Sequence, residues 1–347
     1  MKFGYQLAAE RFGPQELIRQ AVRAERAGFD FVVLNDAYHP WLDVQRHAPF
    51  AWTVLGAIAA STRTLRLATG VTCASMRYHP AIVAQAAATL GIVSDHRFTL
   101  GVGAGERLNE HVVGRGFPNA RGRHERLREA LEIINLLWRG GYRSYEGKHL
   151  RLDDARVFDL PDPLPVIAVA AGGPRAAALA AELGGGLFAT EPRADLVDAY
   201  RAQGGAGPAY ATALMAWATT EEAGVREMLT SAAWTVIGWK IMSELPNPVT
   251  FEAAARTVTA ADVRGRFAVG PKPEPYLAAL RRCADAGFDH LVLQNAGPDP
   301  DGFLDFFAAE LRGELTRGLR ANRLDAVVHN GEIPRDARLA LRPGASG

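Results

Sequence analysis

The stretch Phe98-Thr-Leu-Gly-Val-Gly-Ala-Gly-Glu-Arg-Leu-Asn-Glu110 breaks a short apolar run with three alternating glycines and then a carboxylate. Gly103 and Gly105 free the backbone to take positive φ, or let a flat ligand come within contact distance. Glu106 is the first side chain beyond them that can do proton chemistry. The segment reads as a β-strand that ends in a site.

Working outward, the same change from apolar run to glycines and polar side chains recurs at other strand candidates. Upstream, Lys2 to Ala8, Phe29 to Leu34 and Leu65 to Val71 have strand length and composition. Between them Pro14 to Ala27, Pro49 to Ala60 and Pro80 to Val93 carry helical spacing, the first closed by Gly28. Downstream come a helix from Arg123 to Trp138 and strands at Val166 to Ala170, Gly186 to Thr190, Tyr210 to Trp217 and Phe288 to Gln294. Further helices are expected after Gly172-Gly173-Pro174, from Glu274 to Ala286 and from Phe303 to Leu319.

Eight strands alternating with helices, each a near-continuous apolar run, indicate an all-parallel sheet buried on both faces. The count predicts an α/β fold, a closed (β/α)8 TIM barrel, in preference to an open doubly wound sheet. The first βα turn also lacks the Gly-x-Gly-x-x-Gly of dinucleotide-binding sheets. One barrel domain is expected over residues 1–320, with insertions at its C-terminal face over about 141–160 and 219–266, and a peripheral tail over 321–347. Tyr142 to Leu160 reads as an inserted hairpin. Thr219 to Arg266, with Trp234, Trp239 and the Pro246-Asn-Pro248 turn, reads as an excursion that folds over something.

The bulk numbers agree with a soluble enzyme: 347 residues, 48% hydrophobic, 22% charged and a formal net charge of +1. That balance gives no reason to expect nucleic acid or an anionic membrane as a partner, and points to small molecules. No apolar run is long enough to span a bilayer and the N-terminus enters a strand at once, so a cytoplasmic location is expected. Cys73 and Cys283 fit no metal or redox spacing, the histidines form no close pair, and no metal is expected. The absence of Gly-x-Ser-x-Gly disfavours Ser/His/Asp hydrolysis.

In a barrel the residues just after each strand face one mouth, so they can be pooled across the sequence. The first half of the chain contributes Glu10, then Asn35, Asp36, Tyr38, His39 and Trp41, then Gly70, Val71 and Cys73, then Glu106 and Asn109. The second half contributes Ala171, Gly172, Gly173 and Pro174, then Thr190 and Arg193, then Gln294 and Asn295. Glycines and small residues on several walls suit a large planar ligand, and Gly172-Gly173-Pro174 at a helix start offers N–H groups to an anion.

Several of these stretches together resemble the luciferase-like flavin and deazaflavin oxidoreductases. They are Leu7-Ala-Ala-Glu-Arg-Phe12, Asn35-Asp-Ala-Tyr-His-Pro-Trp41, Arg77-Tyr-His-Pro80 with Ala84-Gln85, Gly101-Val-Gly-Ala-Gly-Glu-Arg-Leu-Asn-Glu110 and Ala170-Ala-Gly-Gly-Pro174. The branch they resemble is the one related to the coenzyme F420-dependent glucose-6-phosphate dehydrogenases, over residues 1–320. The resemblance implies a (β/α)8 barrel, a homodimer, and a deazaflavin ring in the mouth, with F420 expected and FMN the alternative. It also implies a cis Gly70-Val71 peptide behind the ring, and cofactor contacts from Asp36, Cys73, Asn109, Ala171, Gly172, Gly173 and Pro174. Trp41 and Glu106 match residues assigned to the reacting centre, and Glu10 matches a further active-site acid.

Departures from the family pattern bear on the substrate. Sugar-phosphate-oxidising relatives carry histidine directly after the strand-two aspartate to take the hydroxyl proton, and here that position is Ala37. Of their basic phosphate-binding residues, Arg193 and Arg266 have counterparts, with Thr190 beside them; the third, a lysine, falls near Met242, with Lys240 two residues away. Glu191 adds a charge that a sugar phosphate would oppose. The expected activity is hydride transfer between F420 and a small organic substrate other than glucose 6-phosphate. An FMN-dependent monooxygenase or reductase, and a cofactor-binding protein without turnover, are the alternatives. With Ala37 silent, Glu106, Glu10 and His39 are the candidate proton carriers, and burial is expected to raise Glu106 toward neutrality.

Overall fold

The computed structural model describes residues 1–317. Its eight barrel strands are β1 (Lys2–Leu7), β2 (Phe31–Leu34), β3 (Arg66–Thr69), β4 (Phe98–Gly103), β5 (Val166–Ala170), β6 (Gly186–Ala189), β7 (Ala209–Ala216) and β8 (His290–Asn295). Each pairs in parallel with the next in chain order, and β8 returns to β1 in the register Lys2↔His290 to Tyr5↔Leu293, so the ring closes. This is the expected (β/α)8 barrel, and the apolar runs explain it: every strand is covered inside and out.

Inside, side chains from strands on opposite sides meet. Phe31 of β2 lies edge-on to Tyr210 of β7 at 5.6 Å, and Tyr210 stacks on Phe188 of β6 at 5.5 Å. Val33, Ala68, Ala168 and Val292 complete this plug. Gly4 of β1 belongs to the same arrangement, because a Cβ there would stand 2.1 Å from the Phe31 ring. Outside, α1 (Pro14–Ala27), α2 (Ala51–Ser61), α3 (Pro80–Val93), α4 (Ala120–Leu137), α5 (Pro174–Leu183), α6 (Ala194–Ala202), α7 (Pro273–Asp285) and α8 (Pro300–Phe306) form the second layer. Gly28, at φ 88°, ends α1 in the left-handed conformation that a glycine C-cap supplies. No helix among the described residues is long and apolar enough to cross a membrane.

The expected inserted hairpin is present as Arg143–Glu146 paired antiparallel with Arg151–Ala155. The excursion after β7 is built mainly of short helices. Glu221–Ser231, Trp239–Met242, Pro248–Ala255 and Ala260–Arg266 follow one another, three of them opened by the side-chain caps Thr220, Asn247 and Thr259. Helices of this length show too few turns for a 3.6-residue apolar period to stand out. β3 ends at Thr69 and is followed by the cis Gly70-Val71 peptide. The C-terminal helix begins at Pro300 and passes through a π-turn at Phe307–Leu311. The proposed tail over 321–347 lies outside the described residues.

Candidate active site

The loops after β2, β3 and β4 are joined by one buried polar network. Asp36, just beyond β2, is its centre. One carboxylate oxygen accepts from Thr72 Oγ1 at 2.8 Å and from Trp52 Nε1 of α2 at 3.1 Å. The other accepts from Arg77 Nη2 and from the Tyr78 hydroxyl, both at 3.0 Å. Arg77 Nη2 also donates to the Asp36 carbonyl at 2.6 Å. With its side chain entirely covered, Asp36 is committed to holding these loops together.

At the end of β4 the glycines have a steric purpose. A Cβ on Gly105, whose φ is +78°, would lie 2.8 Å from both Cys73 Sγ and Glu110 Cγ, so only glycine lets the chain cross there. Glu106 then opens the single turn Arg107–Glu110 without making a side-chain capping bond to it, so its carboxyl is not spent on the helix. Asn109 joins two loops: its Nδ2 donates to Glu106 Oε1, and its Oδ1 accepts from the backbone N–H groups of Tyr38 and His39 at 2.7 and 2.8 Å. His39 Nδ1 lies 2.9 Å from the Leu108 carbonyl. Burial raises the Glu106 carboxyl above the ordinary carboxylate range, against the opposing pull of Asn109 and Arg77. Cys73 is buried and its thiol is pushed well up by desolvation, so it stays protonated.

Glu10 follows β1 and is also buried, which raises its carboxyl. It lines a cavity with room for about one water, together with Trp234 and Asn295. Trp234 Nε1 and Asn295 Nδ2 are buried without a hydrogen-bond partner among the described residues. Trp234 comes from the helical excursion and stacks on Trp41 with ring centres 4.3 Å apart, while Phe251 meets Trp41 edge-on at 5.2 Å. The excursion therefore folds over the loop after β2, closing an apolar cluster that includes Leu42, Leu108 and Met242.

The opposite wall is more open. Ala171 is fixed by its N–H to the Phe188 carbonyl at 2.8 Å. Gly172 and Gly173 face space in which an added Cβ would touch nothing, and α5 begins at Pro174 with no side chain capping its N–H groups. That is a cradle for an anionic group. Arg193 donates to the Gly172 carbonyl at 3.0 Å but forks onto its own neighbour Asp195, whose carboxyl it holds below the usual range. Arg266 sits 3.8 Å from Glu191 and donates to the Val236 carbonyl. Thr190 is exposed beside them.

The structure thus gathers Asp36, Glu106, Asn109 and His39 into one network with Cys73 packed against Gly105, and places Glu10 and Trp41 both beside Trp234. Sequence reasoning did not assign Arg77, Glu110 or Trp234. Glu110 had a signal, as the second carboxylate of the Gly-Glu-Arg-Leu-Asn-Glu stretch that ends the strand.

The luciferase-like monooxygenase family profile matches residues 1–290. An F420-dependent hydroxymycolic acid dehydrogenase of Mycobacterium tuberculosis is 36% identical over 333 residues, spanning 90% of this chain and 88% of its own. An F420-dependent glucose-6-phosphate dehydrogenase of Intrasporangium calvum is 35% identical over 340 residues, spanning 92% of this chain and 100% of its own. A solved F420-dependent secondary alcohol dehydrogenase, in complex with an F420-acetone adduct, superposes with a TM-score of 0.83 at 26% identity, covering 88% of this chain and 97% of that one. With sequence and barrel in agreement, the chain belongs to the luciferase-like monooxygenase family.

Proposed function

We propose that the chain is a coenzyme F420-dependent oxidoreductase that moves a hydride between the deazaflavin and an uncharged alcohol or its carbonyl product. Support for the cofactor comes from the F420-dependent relatives at 35% and 36% identity and from the mouth itself. The uncapped start of α5 beside Gly172 and Gly173 fits a phosphodiester. When bound, F420 supplies the ring carbon that accepts or returns the hydride. The chain's own residues handle the protons. His39, with Nδ1 held against the Leu108 carbonyl, has Nε2 left as a base for the substrate hydroxyl that Ala37 cannot serve. Glu106, with Oε1 taken by Asn109, holds a proton on Oε2.

Charge carries the reading of the substrate. Of the basic positions that would cradle a phosphate, Arg193 is paired with Asp195, Arg266 faces Glu191, and the third falls near Met242, which is buried among apolar side chains. A sugar phosphate arriving there meets a surface already neutralised.

A homodimer belongs to the same proposal. Neither α2 nor α3 contains an Asp, Glu, Lys or Arg, and Ile82 and Val93 of α3 are more than half exposed, at 56% and 54%. An outer barrel helix normally keeps a polar face, and one that is apolar all round is covered all round. The cover proposed is the same helix pair of a second copy, and a monomer mass by light scattering would rule it out.

The test of function is a spectral and thermal titration of the apo-protein with F420 and FMN separately, followed by turnover of propan-2-ol and glucose 6-phosphate. F420 at about 100 times its Kd is expected to stabilise the fold by about 2.7 kcal/mol, and the alcohol is expected to be the better substrate. Tight FMN binding without any response to F420, or sugar-phosphate turnover equal to that of the alcohol, overturns the reading.

A further inference from the structure

Between the loop after β1, the end of β8 and the excursion lies the small cavity lined by Glu10, Trp234 and Asn295, whose polar groups the proposed chemistry leaves unused. We propose that it binds a single ordered water, which accepts hydrogen bonds from Trp234 Nε1 and Asn295 Nδ2 and donates one to the Glu10 carboxyl. Glu10 is then a positioning residue, which seats Trp234 on Trp41 through that water.

Donors and acceptors around the cavity fall short of one another without it. Asn295 ends β8, and its Oδ1 accepts from the backbone N–H groups of Trp217 at 3.0 Å and Gly297 at 2.9 Å. Those two bonds fix which way the amide is turned and leave Nδ2 as a donor on its other side. The indole N–H of Trp234 is a donor and nothing else. Both nitrogens are buried, and neither meets an acceptor among the described residues. Glu10, Trp234 and Asn295 are 7%, 8% and 5% exposed, so bulk water does not serve them.

Glu10 has the opposite need. Apart from its own backbone N–H, no donor stands against its carboxyl among the described residues. The guanidinium of its neighbour Arg11 is already engaged, by the Ala296 and Gly297 carbonyls at 2.9 and 3.1 Å and by Glu227 at 2.7 Å. Ser231, also on the cavity wall, gives its hydroxyl proton to the Glu227 carbonyl. Two donors and one carboxyl thus border a space the size of one water, and none is bonded directly to another. A molecule that accepts twice and donates satisfies all three. A cation would meet two N–H groups there and an anion a carboxyl, so a neutral water is the ligand that fits.

The consequence for the mouth lies in how Trp234 is held. Stacking on Trp41 at 4.3 Å sets the separation and tilt of the two rings but leaves each free to turn within its own plane. A hydrogen bond at the indole edge removes that freedom. The helix before Trp234 is already tied to the barrel, because Arg11 bridges to Glu227 and Gln45 Nε2 donates to the Ser231 carbonyl at 2.8 Å. Those bonds end at Ser231, and the water extends the same anchorage to the ring that covers Trp41.

The test is nuclear magnetic resonance of the indole N–H groups in the intact, cofactor-free protein, whose six tryptophan signals are assigned by single Trp→Phe variants. The Trp234 indole N–H is expected to show a cross-relaxation peak to a long-lived bound water. In Glu10→Leu, which keeps the bulk and removes the acceptor, that peak is expected to vanish and the Trp234 signal to move upfield, with Trp41 moving alongside it because the two rings are stacked. Glu10→Gln returns an acceptor oxygen and is expected to restore the peak. The indole N–H groups of Trp52 and Trp138, held by Asp36 and by the Ala84 carbonyl, should stay in place in both variants and so report an intact fold. No water peak at Trp234 in wild type, or a peak that survives in Glu10→Leu, overturns the proposal. Should Glu10→Leu fail to fold, the wild-type peak and its retention in Glu10→Gln decide the matter, since loss in Glu10→Gln would show that Glu10 holds no water by acceptance.

Discussion

The two sides of the barrel mouth are held together by different forces. On the side of β2, β3 and β4, Asp36, Arg77, Asn109 and Glu110 are buried and bonded to one another across loops. On the side of β6 and the excursion, the charged residues pair in the open: Arg193 with Asp195, Arg266 with Glu191. Buried polar groups must be satisfied in one arrangement, whereas exposed ion pairs exchange cheaply with water. The first wall is thus held in one fixed geometry, whereas the second can rearrange at little cost.

The largest effect that distinguishes the walls should be on stability. Asp36→Ala strands Arg77, Tyr78, Thr72 and Trp52 without their acceptor, and breaking a buried pair in this way costs about 3–5 kcal/mol. Asp195→Asn, on the exposed wall, should leave the denaturation midpoint nearly where it was. Equal losses in guanidinium titrations of the two variants would mean that the contrast is not real.

Rates come next. Glu106→Gln should preserve F420 affinity while cutting single-turnover hydride transfer by about 10²-fold or more, the usual scale for a lost acid or base. The sign with pH follows from burial: Glu106 is raised, so the protonated form persists above the ordinary carboxylate range and the step that uses it slows as pH climbs through that raised value. His39→Ala should slow alcohol oxidation on a similar scale. If Glu106→Gln instead loses cofactor and keeps its rate at saturation, Glu106 is a binding residue, and the proton belongs to His39 or Glu10.

The same contrast explains what could be read from the chain. The barrel was legible because both faces of each strand are buried and leave continuous apolar runs, and the break at Gly103 and Gly105 marked the end of β4 correctly. Asp36, His39 and Asn109 could be named from their places after strands. Their partners could not, since Arg77 reaches Asp36 across 41 residues and Glu110 across 33 residues to Arg77, distances over which local pattern carries no information. Trp234 was hidden for another reason. It sits in a short 3-10 turn, Ala233–Val236, whose place over Trp41 is set by aromatic stacking.

The smallest expected effect tests the second wall most closely. If substrate charge is excluded because Arg193 and Arg266 are already paired, then neutralising the partners without adding any cation should create affinity for phosphate. The Glu191→Gln, Asp195→Asn double variant does this, leaving both guanidinium groups in place and removing two competing carboxylates. Each pair is exposed, so the gain per pair is modest, and the KM for glucose 6-phosphate should fall by about two- to tenfold in all. Added salt should erase the gain, since exposed charges are screened within about 10 Å at 0.1 M ionic strength. The KM for an uncharged alcohol should stay put, because neither carboxylate belongs to the network around Asp36. An unchanged sugar-phosphate KM would place the obstacle elsewhere, at Met242 and the missing lysine, and would make the apolar floor rather than the paired rim the feature that sets substrate charge.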